Sequence, residues 1–187
     1  INLKHEDDVI RAGDHAVMLR HLIGTVSRKH NFLASFMAKP FVEQTGNGMH
    51  VHCSVLDEKG NNIFNDGTDE GSPRLRHAIG GLQATLPEAM AIFAPNLNSY
   101  RRFGPNLFVP VNGSWGYNNR SVAFRVPNGS PDSRRIEHRV TGADANPYLV
   151  LAAILAGIHY GIVNEIDPGD PAEGNACEIV DEGLPLY

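Results

Sequence analysis

Seven arginines and no lysine stand between Arg101 and Arg139, with Asp132 and Glu137 the only acids, so this segment carries +5. The whole chain is −5, which leaves −10 on the remainder. Guanidinium groups at this density repel one another and resist burial unless anions come between them. The fold must therefore spread the segment over a surface or wrap it around something negative. Arginine without lysine favours wrapping, because the planar guanidinium grips carboxylate and phosphate with two parallel hydrogen bonds. The segment reads as the lining of an active site.

Spacing sharpens this. Arg135, Glu137 and Arg139 alternate with Ile136, His138 and Val140. A period of two is that of a strand with one charged and one apolar face. Glu137 on the charged face could hold a hard cation with arginine-bound anions beside it, the alternative being a salt-bridge ladder on an exposed strand. His50 and His52 show the same spacing behind Gly46 and Gly48. Both imidazoles then reach one cavity as metal or phosphate ligands, the alternative being two polar groups on a solvated face. A carboxylate, a histidine-bound divalent metal and several arginines are the parts of a phosphoryl-transfer site, which works by positioning and charge neutralisation. The chain has no Walker sequence and no kinase glycine loop.

The rest of the chain supplies a frame. Residues 1–3 read as the end of a strand. Apolar residues at helical spacing, acids before and bases after, predict a helix over residues 7–30. Strands are expected over 32–39, ending at Pro40, and over 49–56, separated by a glycine turn at 45–48. A turn at 57–60 and a polar loop at 61–71 follow. Ser72 and Pro73 cap a helix over 73–93, which Pro87 is expected to break or restart. Residues 96–117, rich in Pro, Gly and Asn, read as ordered functional loop. Strands are expected over 121–126 and 135–140. Asn146 and Pro147 cap an apolar helix to Val163, and a surface tail follows Asn164.

At 187 residues the length fits one domain or a large piece of one. The acidic balance argues against nucleic acid and against membrane surfaces as partners. The longest apolar run, 148–163, is too short for a membrane span and carries His159. Cys53 and Cys177 lack ligand-like spacing, which makes a reducing compartment, the cytoplasm, the default. The chain opens on Ile1 rather than methionine, so the lack of a visible signal peptide carries little weight.

Five stretches together resemble the glutamine synthetase family: Phe36-Met37-Ala38-Lys39-Pro40; Gly46 to Ser54; Asn98-Ser99-Tyr100-Arg101-Arg102; Asn119-Arg120-Ser121 with Arg134 to Arg139; and Ala145-Asn146-Pro147-Tyr148. They occur in order over nearly the whole chain. The resemblance implies an α+β fold with a curved, mainly antiparallel sheet backed by helices. It also implies that residues 1–187 are an incomplete C-terminal catalytic domain, with the N-terminal domain outside this chain. The activity it implies is ATP-dependent formation of a γ-glutamyl amide. ATP phosphorylates the side chain of glutamate, and an amine attacks the acyl phosphate.

Carried over by motif, His50 and Glu137 resemble ligands of Mg2+ or Mn2+ bridging the nucleotide phosphates. His52 and Ser54 resemble nucleotide contacts. Gly46, Arg102 and Arg139 resemble the groups that hold glutamate. Arg120 resembles the arginine on the transferred phosphoryl group, with Arg125 and Arg135 on the ATP phosphates, and Arg102 and Arg120 count as catalytic. The family further implies a homo-oligomeric ring with sites between subunits, and inactivity of this piece alone.

Departures from the family pattern direct the choice of amine. Phe108 stands where ammonia-using members carry a glutamate that binds and deprotonates ammonium. With Thr45 in place of a loop asparagine, this is similar to the γ-glutamylpolyamine and γ-glutamylmonoamine synthetase branch, with a role in polyamine and nitrogen metabolism. Asp132 replaces a nucleotide-contacting lysine. No counterpart of an adenylylated tyrosine is evident near residues 182–185. Glutamine synthetase proper, a non-catalytic homologue and an arginine-based nucleic-acid binder are the competing readings. Intact metal and phosphate residues argue against the second, and the acidic remainder with its embedded Glu137 argues against the third.

Overall fold

A computed structural model describes residues 1–104 and 109–178 of the chain. Phe108 and residues 182–185 lie outside the described residues. Helix α1, Val9–Lys29, starts where the Asp8 carboxylate accepts from the Ile10 and Arg11 amides at 2.9 and 3.1 Å, meeting two of the amides that a helix N-terminus leaves without partners. Its apolar periodicity is real, but Ile10, Met18, Leu22 and Val26 are exposed, and Gly13 is its only buried residue. Strand β1 is Val51–Cys53, shorter than the expected 49–56. Residues 1–3 and 32–39 form no strand. The backbone around Lys39 bonds to Asn98 and Asn47 instead of to a ladder.

Helix α2, Pro73–Phe93, runs unbroken through Pro87. An interior proline removes one helical hydrogen bond at about 3 kcal/mol. Buried Leu82, Leu86, Met90 and Phe93 on both sides of Pro87 hold the helix in the core, and tertiary packing overrides the local break. The expected loop 96–117 contains a short helix α3, Leu97–Tyr100, and strand β2, Trp115–Tyr117. Strands β3, Phe124–Val126, and β4, Ile136–His138, follow, and then helix α4, Pro147–Val163, capped by Asn146. Among the described residues no helix is long and apolar enough to cross a membrane.

The sheet order is β1-β4-β3-β2. Its β1–β4 and β3–β4 pairings are antiparallel, while β2 runs parallel to β3, so the sheet is mixed. Helices α2 and α4 lie closely packed at Gly81, Gly157 and Gly161. A β-carbon on Gly81 would fall 2.2 Å from the Gly157 carbonyl oxygen, and one on Gly161 would fall 2.1 Å from the His77 carbonyl oxygen. The core joins these helices to Trp115, Phe124, Ile136 and Val140. His138 is buried there, its ring 4.4 Å from Phe93 and 5.3 Å from Phe124. Burial pushes its pKa down to about 3, so it stays neutral.

The described part of the expected surface tail, 164–178, stays on the surface and is strapped to the body. The Trp115 carbonyl accepts from the Ala172 amide at 2.7 Å, Asn119 donates to the Gly174 carbonyl at 2.9 Å, and Asn112 donates to the Ala176 carbonyl at 3.2 Å. Hydropathy carries no sign of this, because polar side chains catching backbone groups do the holding.

Candidate active site

The register of three strands builds the site's centre. His52 stands opposite Glu137 on β4, and Arg125 stands opposite Glu137 from the other side. Directly opposed residues in antiparallel pairs share a face, so His52, Glu137 and Arg125 form one row. Glu137 is 3% exposed, and each of its oxygens is bonded. Oε2 accepts from Arg125 at 2.7 Å, and Oε1 accepts from Arg139 at 2.7 Å and from His50 Nδ1 at 3.1 Å. Burial alone would raise its pKa. The hydrogen bonds from His50 and Arg125 and the charge of Arg139 overcome that and hold the carboxyl well below the usual range. This is no exposed salt-bridge ladder.

Arg139 also approaches His50 Nδ1 at 3.5 Å. His50 Nδ1 faces both groups, accepting from Arg139 in one tautomer and donating to Glu137 in the other. His52 plays another part: its Nδ1 accepts from Arg135 Nε at 3.2 Å. Burial lowers the His52 pKa, with nearby Arg135, His50 and Arg125 adding to the effect against Glu137.

Around Glu137 the arginines outnumber their partners. Arg139 donates to the Arg120 carbonyl at 2.8 Å, and Arg125 donates to the Asn118 side chain at 2.6 Å. The Arg120 guanidinium is exposed and makes no hydrogen bond among the described residues. The Nε atoms of Arg102, Arg125 and Arg139 are buried without a partner among the described residues. Buried donors of this kind are rare in folded proteins and point to a missing acceptor.

Arg102 follows α3 and is 2% exposed, with one nitrogen donating to the Val140 carbonyl at 3.0 Å. Burial pushes its pKa down to about 10, against the opposing charge of Asp144. Gly46 and Gly48 form its wall. A β-carbon on Gly46 would meet Arg102 Cγ at 2.8 Å, and one on Gly48 would lie 2.9 Å from an Arg102 terminal nitrogen and 3.5 Å from His50 Nε2. Glycine here leaves room beside both the arginine and the imidazole. Ser54 lies just past β1, partly buried. Ten of the eleven site residues expected from sequence are therefore described, and most gather about Glu137 and Arg102. Asn118 and Asp144 were not foreseen. The positive φ of 47° at Asn118 has a faint signal in Tyr117-Asn118-Asn119, since asparagine tolerates that conformation.

His50 and Glu137, 3.1 Å apart at Nδ1 and Oε1, supply an imidazole and a carboxylate, donor types that a divalent cation takes. Among the described residues no group of three or more His, Cys, Asp or Glu side chains could close a metal site.

The family model for the glutamine synthetase catalytic domain matches residues 1–185. The chain is 49% identical over 186 residues to gamma-glutamylputrescine synthetase PuuA of Escherichia coli (strain K12), covering 100% of this chain and 39% of that protein. It is 39% identical over 184 residues to glutamate–isopropylamine ligase of Pseudomonas sp, covering 97% of this chain and 40% of that one. A solved GmaS–ADP complex superposes with a TM-score of 0.86 at 33% identity, over 96% of this chain and 43% of that chain. The chain thus spans about two fifths of the length of the curated relatives it matches.

Proposed function

This chain belongs to the glutamine synthetase family by its catalytic domain, and on that premise we propose that the intact protein is an ATP-dependent ligase joining glutamate to an organic amine. The observation that carries the reading is the arginine cluster gathered on a single carboxylate, Glu137, with buried Nε atoms still unpartnered. A site with this excess of guanidinium is completed by anions, and the proposed reaction brings two: glutamate and the nucleotide triphosphate.

The division of labour follows the family motifs. Arg102, against the Gly46 wall, and Arg139, on Glu137, take the glutamate carboxylates. Arg125 and Arg135, with His52 and Ser54, take the nucleotide. Arg120, exposed and with its guanidinium unpaired among the described residues, neutralises the phosphoryl group in transfer from ATP to the side-chain carboxylate of glutamate. That transfer makes a γ-glutamyl phosphate. The amine nitrogen then bonds to its acyl carbon, phosphate leaves, and the nitrogen gives up a proton. His50 and Glu137 would hold Mg2+ or Mn2+, which when bound supplies charge neutralisation between phosphates. The ADP bound in the GmaS structure supports a nucleotide in the related site.

For the amine, Phe108 supports an alkyl chain over ammonium, since a phenyl ring offers apolar contact and no charge. The named substrates of the two curated relatives, putrescine and isopropylamine, agree with this. Glutamine synthetases at 36–39% identity keep ammonia as the competing reading. Phosphate release by the full-length protein with glutamate, ATP and putrescine, spermine, isopropylamine, ethanolamine or ammonium decides between them. The expected best substrate is an organic amine, and ammonium ranking first would sink the reading. Phe108→Glu is expected to gain ammonium use.

A further inference from the structure

Lys39 and Asn98 have no chemical role in this site, yet both are tied into it. Lys39 is 5% exposed, and its ammonium donates to the Gln44 carbonyl instead of pairing with a carboxylate among the described residues. Burying an ammonium against a neutral oxygen is costly, so what it holds matters. Gln44 leads into the loop that carries Thr45 and Gly46. The same loop is fastened twice more: the Asn47 amide donates to the Ala38 carbonyl at 2.8 Å, and its side chain donates to the Met37 carbonyl at 2.8 Å.

The backbone of Lys39 is gripped from the other side. Asn98 Oδ1 accepts from the Lys39 amide at 2.8 Å, and Asn98 Nδ2 donates to the Lys39 carbonyl at 2.8 Å. A side-chain amide thus satisfies both backbone groups, as a neighbouring strand would. Asn98 lies in α3, and Arg102 follows two residues past the end of that helix. One residue, Lys39, therefore holds the glycine loop by its side chain and the helix leading to Arg102 by its backbone. The two parts touch: a β-carbon on Gly46 would sit 2.8 Å from Arg102 Cγ.

We propose that Lys39 and Asn98 are positioning residues that set the Gly46 loop against Arg102 and so fix the pocket for the carboxylates of glutamate. The identity of that ligand rests on the function proposed above; the holding of the loop does not.

The test uses the intact protein with Lys39→Met, which removes the donor and keeps the stem, Lys39→Arg, which keeps a donor, and Asn98→Asp, which puts an acceptor against the Lys39 carbonyl. Hydrogen exchange is followed in the peptide covering 41–49, alongside steady-state kinetics. Lys39→Met and Asn98→Asp are expected to speed exchange there and to raise the KM for glutamate about tenfold, with the KM for ATP within about twofold and kcat within about threefold, while Lys39→Arg restores most of the loss. Unchanged exchange in both variants overturns the proposal whatever the protein acts on. Equal rises in both KM values assign a general structural role and overturn it too. If the wild type shows no glutamate-dependent ATP turnover, the functional reading fails, and the exchange data still decide the positioning. Should Lys39→Met fail to fold, Asn98→Asp carries the same criteria.

Discussion

Glu137 receives hydrogen bonds from Arg125, Arg139 and His50 at once, so neutralising it leaves two buried guanidinium groups without an anion. Glu137→Gln is expected to cut kcat by about a hundredfold or more while the folded circular-dichroism signature persists. Retained turnover with an unchanged requirement for divalent metal would remove Glu137 from the site. Gly46→Ala acts differently. The added methyl meets the Ala38 carbonyl oxygen and Arg102 Cγ, both at 2.8 Å, and the expected result is a rise of about tenfold in the KM for glutamate. Cys53 offers a pH test. Burial pushes its thiol up to about 11, so at pH 8 only about a thousandth is thiolate, against about a tenth for an unshifted thiol of pKa 9. Alkylation of the Cys53 peptide, followed by mass spectrometry, is expected to keep climbing with pH through 10. A plateau near pH 9 would contradict the burial argument.

Among the elements, the α2–α4 contact is the least forgiving. Glycine at 81 and 161 lets two backbones touch, and a methyl at either position lands within 2.2 Å of a carbonyl oxygen. Gly81→Ala and Gly161→Ala are each expected to cost about 2–4 kcal/mol in chemical denaturation, since backbone cannot yield as a side-chain tip can. The long helices were readable because each announces itself twice, by apolar spacing and by a cap: Asp8 before α1, Ser72 with Pro73 before α2, and Asn146 with Pro147 before α4. Charged alternation likewise exposed β4 and its two faces. The strands themselves were overread, because 32–39 has strand-like composition but finds its partners in side-chain amides. The parallel pairing of β2 with β3 was illegible, since only residues 118–123 join the two strands and a short link usually means antiparallel. Pro87 misled for the opposite reason, as packing outweighed a local rule. The motif residues sit close together in the fold because a family motif fixes residue types at set places, while element ends depend on partners remote in sequence.

At the scale of the molecule, the chain is a folded body whose charge centre is incomplete. Arg102, Arg120, Arg125, Arg135 and Arg139 lie in or beside a centre with one buried carboxylate, Glu137, while the acidic excess lies elsewhere in the chain. Ligands that bind only the folded state stabilise it by mass action. ATP with Mg2+ at a hundred times its dissociation constant is expected to add about 2.7 kcal/mol, read as a rise in Tm. The rise should be smaller in Glu137→Gln, and an equal rise in both proteins would detach nucleotide binding from this centre. The unpartnered guanidinium nitrogens have a practical side as well. The exposed Arg120 guanidinium beside them meets solvent directly, so phosphate or sulfate in a buffer is expected to compete there with an anionic ligand. Affinities measured in such buffers are exchange constants, each recording one anion displacing another. Any ranking of amines or nucleotides then describes the buffer as much as the protein, unless the background anion is too bulky or too weakly charged to enter.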